Sequence, residues 1–163
     1  MAIKKEADIQ NNPNIIDIDL SSIEKKQYRI NGDNTKIIEL NPSDMNIITR
    51  LSEVYGKLKG LETDFKELEN INIDADNEEG FTQLSDKVKA IDNKMREYVD
   101  YLFDYPVSEI CAGNGSMYDP IDGKLRYEHI IEVLAGLYET NINSEIKKVQ
   151  ARMKKHTSKY THK

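Results

Sequence analysis

The residues able to do chemistry are few and scattered. The chain holds one cysteine and three histidines in 163 residues. Cys111 follows Glu109 and Ile110. A catalytic thiol needs a histidine partner and an electropositive setting, and the neighbouring sequence offers neither, so Cys111 reads as a small core residue. His129 stands beside Glu128 with Glu132 three positions on. A zinc-protease helix needs H-E-x-x-H, and there is no second histidine at that spacing. His156 and His162 lie among lysines and read as solvated. Asp119 and Asp122 flank Pro120 and precede Gly123. Two carboxylates this close could serve as an acid–base pair, but no third group accompanies them. Aspartate around proline and before glycine is ordinary turn chemistry.

Two further stretches invite a ligand. Gly113-Asn114-Gly115 suggests a phosphate cradle, yet a P-loop needs G-x-x-x-x-G-K-[ST]. A dinucleotide loop needs G-x-G-x-x-G after a strand. Tyr118 occupies the third glycine position and a helical pattern precedes the loop, so a helix stop and a turn explain it better. Asp74, Asp76, Glu78 and Glu79 resemble the start of a calcium loop. Counting from Asp74, position six is Glu79 and position twelve is Ser85, where an EF-hand places glycine and glutamate. An acidic linker feeding a helix N-terminus accounts for them. The expectation is therefore a protein without catalysis, metal or nucleotide.

The elements around these residues follow from periodicity. Residues 1–14 read as a flexible polar arm. Residues 15–20 alternate as I-I-D-I-D-L, which places Ile16, Ile18 and Leu20 on one face of a strand. Residues 26–30 and 35–40 are two more short strands around Asn31-Gly32-Asp33-Asn34, so 28–40 reads as a β-hairpin. Asn41-Pro42-Ser43-Asp44 starts a helix, with Asn41 as cap and Pro42 in the first turn. Its apolar stripe is Ile47, Ile48, Leu51, Val54, Tyr55, Leu58, Leu61, Phe65 and Leu68. Asn77 caps a second long helix bearing Phe81, Leu84, Val88, Ile91, Met95, Tyr98, Val99 and Leu102. Pro106 ends this helix or starts a short helical turn through Cys111, stopped by Gly113. After a loop over 113–123, a last helix runs from about residue 124 to about 155. Asn141-Ile142-Asn143-Ser144 is a candidate break in it.

The expected fold is α+β and mainly α: a hairpin or small sheet, then about three long helices in a bundle. The expected organisation is a flexible arm (1–14), one domain (15–155, with strands confined to its first part, 15–41) and a flexible basic tail (156–163). Low Gly and Pro content, 8 and 4 residues, argues against an all-β sandwich. No stretch approaches the roughly 20 apolar residues of a membrane span. The opening residues lack the apolar core of a signal peptide, so a cytoplasmic protein is expected.

Charge is uneven. The last 19 residues carry seven of the 23 basic residues and one acid, Glu145, a balance of +6. The preceding 144 residues carry the other 16 bases and 28 acids, a balance of −12. A basic end invites a nucleic-acid reading, but no aromatic or glycine-rich RNA motif accompanies it. A solvated helix end is simpler. The two long stripes exceed what one hairpin can cover. A homo-oligomer through helix faces is therefore expected, with Tyr55, Leu58, Phe65, Tyr98 and Leu102 at interchain surfaces.

One resemblance bears on function. Tyr28-Arg29-Ile30-Asn31-Gly32-Asp33-Asn34, followed by Ile37-Ile38-Glu39-Leu40-Asn41-Pro42-Ser43-Asp44, resembles the opening of small proteins from tail-gene clusters of phages and prophages of Gram-positive bacteria. Gly113-Asn114-Gly115-Ser116-Met117-Tyr118-Asp119-Pro120, with Gly123-Lys124-Leu125-Arg126-Tyr127-Glu128, is similar to a second signature of that group. The resemblance implies a siphophage tail assembly chaperone. Such a protein is non-enzymatic, mostly helical and self-associating. It binds the tape measure protein in the host cytoplasm and helps recruit tail tube subunits. Partner contacts are then expected at Tyr55, Leu58, Leu61, Phe65, Tyr98 and Leu102.

Overall fold

The computed structural model describes residues 12–20, 25–66, 68 and 76–161. The expected linker residues 70–75, Asp74 among them, lie outside these, as do residues 1–11, 162 and 163. The chain is α+β and mainly helical. Strands β1 (Lys26–Arg29) and β2 (Ile37–Leu40) form an antiparallel hairpin. Asn31 and Gly32 take positive φ at its tip, at 52° and 73°, which Asn and Gly tolerate best. Asp33 stiffens the turn by accepting the Thr35 N–H at 2.9 Å. Ile38 and Leu40 point inward and are fully buried.

Helix α1 (Asn46–Lys66) begins later than the sequence suggests. Asn41 accepts the Ser43 N–H at 3.1 Å and closes a turn. Pro42 is buried in that turn rather than in the helix. Asp44 accepts the Asn46 N–H at 3.0 Å instead. Helix α2 (Glu78–Phe103) starts as expected: Asn77 accepts the Gly80 N–H at 3.0 Å. It ends at Asp104, which is left-handed (φ 50°) and donates back to Asp100 and Tyr101 carbonyls. Arg50 ties the two helices. Its Nε donates to the Leu102 carbonyl at 2.8 Å and its Nη2 pairs with Asp44 at 3.0 Å, so the start of α1 caps the end of α2.

Helix α3 (Val107–Ala112) follows Pro106 directly. Asp100 accepts both the N–H and the hydroxyl of Ser108, at 2.8 and 2.9 Å. Gly113 stops α3 with φ 55°, its N–H on the Glu109 carbonyl. Strands β3 (Pro120–Ile121) and β4 (Lys124–Leu125) then form a second, two-residue hairpin. Strands are thus not confined to the first 41 residues. Asp122 and Gly123, at φ 51° and 76°, give this hairpin the twisted two-residue turn that Asp-Gly favours.

Helix α4 (Arg126–Thr161) is one unbroken element. It passes through 141–144 and beyond residue 155 without interruption. Burial of Ile142 and a 2.7 Å bond from Asn141 Nδ2 to Ser43 Oγ hold the region expected to break.

The core lies between α1, α2, α3, β2 and the first half of α4. Ile47, Leu61, Ile91, Met95, Val99, Leu102, Phe103, Val107, Met117, Leu134 and Tyr138 form its centre. Ile47, Val54 and Leu61, seven residues apart, are the buried line of α1. Residues 15–20 form no strand. They carry no regular secondary structure, with Ile16, Ile18 and Leu20 84%, 79% and 61% exposed. Alternation makes a strand only where an edge supplies hydrogen bonds, and among the described residues this segment joins neither sheet.

Candidate interaction surfaces

The chemically suggestive loop is used up in holding the fold. Its amides donate in succession: Gly115 to the Ala112 carbonyl, Ser116 to Asp119 Oδ2, Met117 to Asp92 Oδ1, Tyr118 to Ser116 Oγ and Asp119 to the Ser116 carbonyl. A phosphate cradle needs such N–H groups turned outward, and here they turn inward. Asp92 also pairs with Arg96 at 2.8 Å, and Arg96 Nη2 donates to the Gly115 carbonyl at 2.6 Å. From the other side, Arg126 donates to the Ser116 carbonyl and pairs with Asp119 at 2.9 Å. A Cβ at Gly115 would lie 2.9 Å from the Arg126 guanidinium, so a side chain there would push the guanidinium aside. The loop is a clasp between α2 and α4.

Of the remaining candidates, Cys111, Asp122 and His129 line one cleft of about 490 Å3 together with Arg29 and Arg126. Asp119 is held by Arg126, while Asp122 sits in the β3–β4 turn, so the two carboxylates do not act as a pair. His129 Nε2 lies 2.8 Å from the Ile121 carbonyl. Cys111 is half-buried, and burial pushes its thiol pKa up, which keeps it protonated at neutral pH. Glu78 and Glu79 occupy the first turn of α2. Among the described residues, no group of three or more His, Cys, Asp or Glu is placed to hold a metal ion.

The apolar surface divides the expected contact residues. Leu61 (4% exposed) and Leu102 (1%) belong to this chain's own interior. Their assignment to a partner surface is therefore corrected: α1 and α2 pack chiefly on each other, and both residues are in the shared core. Leu58, Phe65 and Tyr98 are half-buried against that core. Tyr55 is exposed, with Lys59 Nζ 4.9 Å from its ring centre. Beside it, Met45, Ile48 and Leu51 leave an apolar strip along the outer face of α1.

Leu58, Leu61 and Phe65 do come together, in a cleft of about 250 Å3 also lined by Lys66, Tyr118, Leu125 and Tyr127. Phe65 stacks on Tyr118 with ring centres 5.5 Å apart and planes at 12°. Tyr127 meets Tyr118 edge-on at 5.9 Å. The Tyr118 hydroxyl is buried and has no hydrogen-bond partner among the described residues. Burial, ahead of the nearby Tyr127, Asp64 and Asp92, drives its phenol pKa far above the usual value. Tyr118, Leu125 and Tyr127 had no periodic signal to mark them. They arrive from a loop, the second hairpin and the first turn of α4, more than fifty residues beyond α1.

Beyond Ile142, α4 leaves the body of the protein, and residues 143–157 are all exposed. Ile146, Val149 and Met153, at i, i+3 and i+7, continue the buried line of Leu134, Tyr138 and Ile142 into solvent. Lys147, Lys148, Arg152, Lys154 and Lys155 occupy the rest of the circumference. The basic end is thus an amphipathic helix. No helix of the described residues is long and apolar enough to cross a membrane.

Comparison with known proteins adds no identification: no protein-family model, no curated protein and no solved structure matches this chain.

Proposed function

We propose that this chain is a non-enzymatic chaperone of phage tail assembly that covers apolar helical segments of a tape measure protein. The observation that carries the proposal is the cleft of Leu58, Phe65, Tyr118, Leu125 and Tyr127. It is lined mainly by apolar side chains and lies along α1. A partner side chain entering it would bury apolar surface there. The strip of Met45, Ile48, Leu51 and Tyr55 widens the same helix face for an amphipathic partner helix, whose anchors recur at i, i+3, i+4 and i+7. The resemblance of 28–44 and 113–128 to tail-cluster proteins supplies the identity of the partner. Recruitment of tail tube protein and action in the host cytoplasm belong to the same proposal.

The test is coexpression with the tape measure protein encoded beside this chain. The expected result is a soluble complex that persists at high salt, since apolar burial dominates it. Leu58→Asp, which places a charge in the cleft, should abolish recovery of the complex while the chain stays helical. Equal solubility of the tape measure protein with and without this chain, and no complex at any salt, refutes the proposal.

The exposed basic helix favours a second reading, a nucleic-acid-binding regulator of phage or host. It predicts DNA or RNA binding that falls steeply with salt. Against it, Ile146, Val149 and Met153 share that helix and have no role in phosphate contact.

A further inference from the structure

Strand β1 is an open edge with a defined hydrogen-bonding pattern. The Ile30 N–H donates to the Lys36 carbonyl at 2.9 Å, and the register pairs Tyr28 with Ile38 and Lys26 with Leu40. Bonded and non-bonded pairs alternate along an antiparallel ladder. The main-chain groups of Gln27 and Arg29 therefore point away from β2, along the free side of a two-stranded sheet. Such an edge is a template for another strand. Its surroundings are basic: Lys25, Lys26 and Arg29 carry the charge of residues 25–30, with no acid among them.

Residues 15–20 have the complementary make-up. They belong to no helix or strand, their isoleucines and leucine stand in solvent, and Asp17 and Asp19 alternate with them. Laid antiparallel on the outward groups of Gln27 and Arg29, one register meets every requirement. Asp17 falls opposite Arg29 and Asp19 opposite Gln27, which sets Ile18 beside Tyr28 and Ile16 beside Ile30. Residues 16, 18 and 20 then share the face on which Ile38 and Leu40 are buried. Asp17 meets Arg29 on the opposite, solvent face. Ile16 also arrives at a groove of about 490 Å3 whose apolar side is Ile30, Ile130, Val133 and Leu134, with Val133 well exposed, and whose polar side includes Arg29, Asp122, Arg126 and His129. A slip of one residue would turn both aspartates toward the core.

Within a single chain, among the described residues, the segment adds no strand to the sheet and β1 pairs with β2 alone. The geometry points to a second copy of this chain as the occupant: residues 15–20 of each copy add a third strand to β1 of the other, and the reciprocal exchange closes a two-fold dimer. This self-association uses neither the α1 cleft nor the basic helix, so it stands independently of the chaperone reading.

A crosslink decides it. Asp17→Cys and Arg29→Cys are combined in a Cys111→Ala background. Opposite residues of a bonded antiparallel pair have Cα atoms about 5.5 Å apart, within disulfide reach. Mild oxidation should give a covalent dimer on non-reducing gels, reversed by reductant. A disulfide within one chain, seen as an oxidised monomer by mass spectrometry, overturns the second-copy assignment. No disulfide in a chain with unchanged helical circular dichroism overturns the strand pairing altogether. Sedimentation of the unmodified chain supplies a second readout. The dimer should form in the micromolar range and weaken about 10- to 100-fold in Ile18→Asp, the loss expected for one large apolar anchor. Arg29→Asp should weaken it too, and adding Asp17→Arg should restore it. A chain that stays monomeric at every concentration, or a charge swap without rescue, refutes the exchange.

Discussion

Tyr118→Phe should make this protein more stable, although it removes a polar group from a residue that is only 9% exposed. The reasoning starts from the hydroxyl, which is buried without a hydrogen-bond partner among the described residues. A buried polar group left unpaired costs about 1–3 kcal/mol in desolvation. Removing the oxygen leaves a void smaller than a water molecule, worth about 0.3 kcal/mol at about 24 cal/mol per Å3. The ring keeps its stack on Phe65 and its edge contact with Tyr127. The balance is a gain of about 1–2 kcal/mol, or about 2–6 °C in Tm for a chain of this size. Urea unfolding at pH 7, followed by circular dichroism, measures it. The pH dependence adds a second arm. The folded phenol titrates well above its ordinary value, so above about pH 10 the unfolded chain releases a proton that the folded chain keeps. Stability therefore falls as pH rises from there, by up to about 1.4 kcal/mol per pH unit for this group. Tyr118→Phe removes that slope, so its advantage should widen above pH 10. A variant less stable by 1 kcal/mol or more, or an advantage that narrows in alkali, would show that the hydroxyl is satisfied and the reasoning wrong.

Other perturbations test the frame. Asp92→Ala releases the Met117 N–H and leaves Arg96 without its carboxylate, and should cost about 2–4 kcal/mol in urea unfolding. Truncation after Ser144 should leave the unfolding free energy within about 0.5 kcal/mol, because the removed side chains up to residue 157 are exposed; helical ellipticity should fall all the same. Tyr138, pushed up to about 12 chiefly by burial, should keep a downward slope of stability above pH 10 even in Tyr118→Phe, read from alkaline melting curves.

The first hairpin and the Asn77 cap were legible because their signals are local, whereas Asn41 closes a turn ahead of α1 instead of capping it. Asn31-Gly32 can take the φ values a tight reversal needs, and Asn77 has an amide three residues on to accept from. The second hairpin carried a signal of the same kind, Asp122-Gly123 between Ile121 and Lys124, inside a stretch read as plain loop. What could not be read depends on distant partners. The alternation of 15–20 specifies a face but not an edge to pair with. Asn141 to Ser144 looks like a break until Ser43, nearly a hundred residues away, meets Asn141. The stripe of α1 gave the right helix but not its sides. Ile47, Val54 and Leu61 turn inward, whereas Ile48 and Tyr55, one position further on in each repeat, turn out.

The polar residues that first suggest chemistry have a common task. Asp92 and Arg96, Asp100 and Ser108, Asp119 and Arg126, and Arg50 on the last carbonyls of α2 each fix one element against the next. Most are short-range clasps at helix ends, where unpaired N–H and C=O groups would otherwise be buried. Their effect is to hold α2, α3 and α4 at set positions while the loop between them stays closed to ligands. Three apolar features stay open after that: the α1 strip with its aromatic cleft, the solvent-facing end of α4, and the alternating segment before β1. Each can be tested separately, because Met45, Ile48, Leu51 and Tyr55 at α1, Ile146, Val149 and Met153 on α4, and Ile16, Ile18 and Leu20 before β1 are all exposed and lie on different elements.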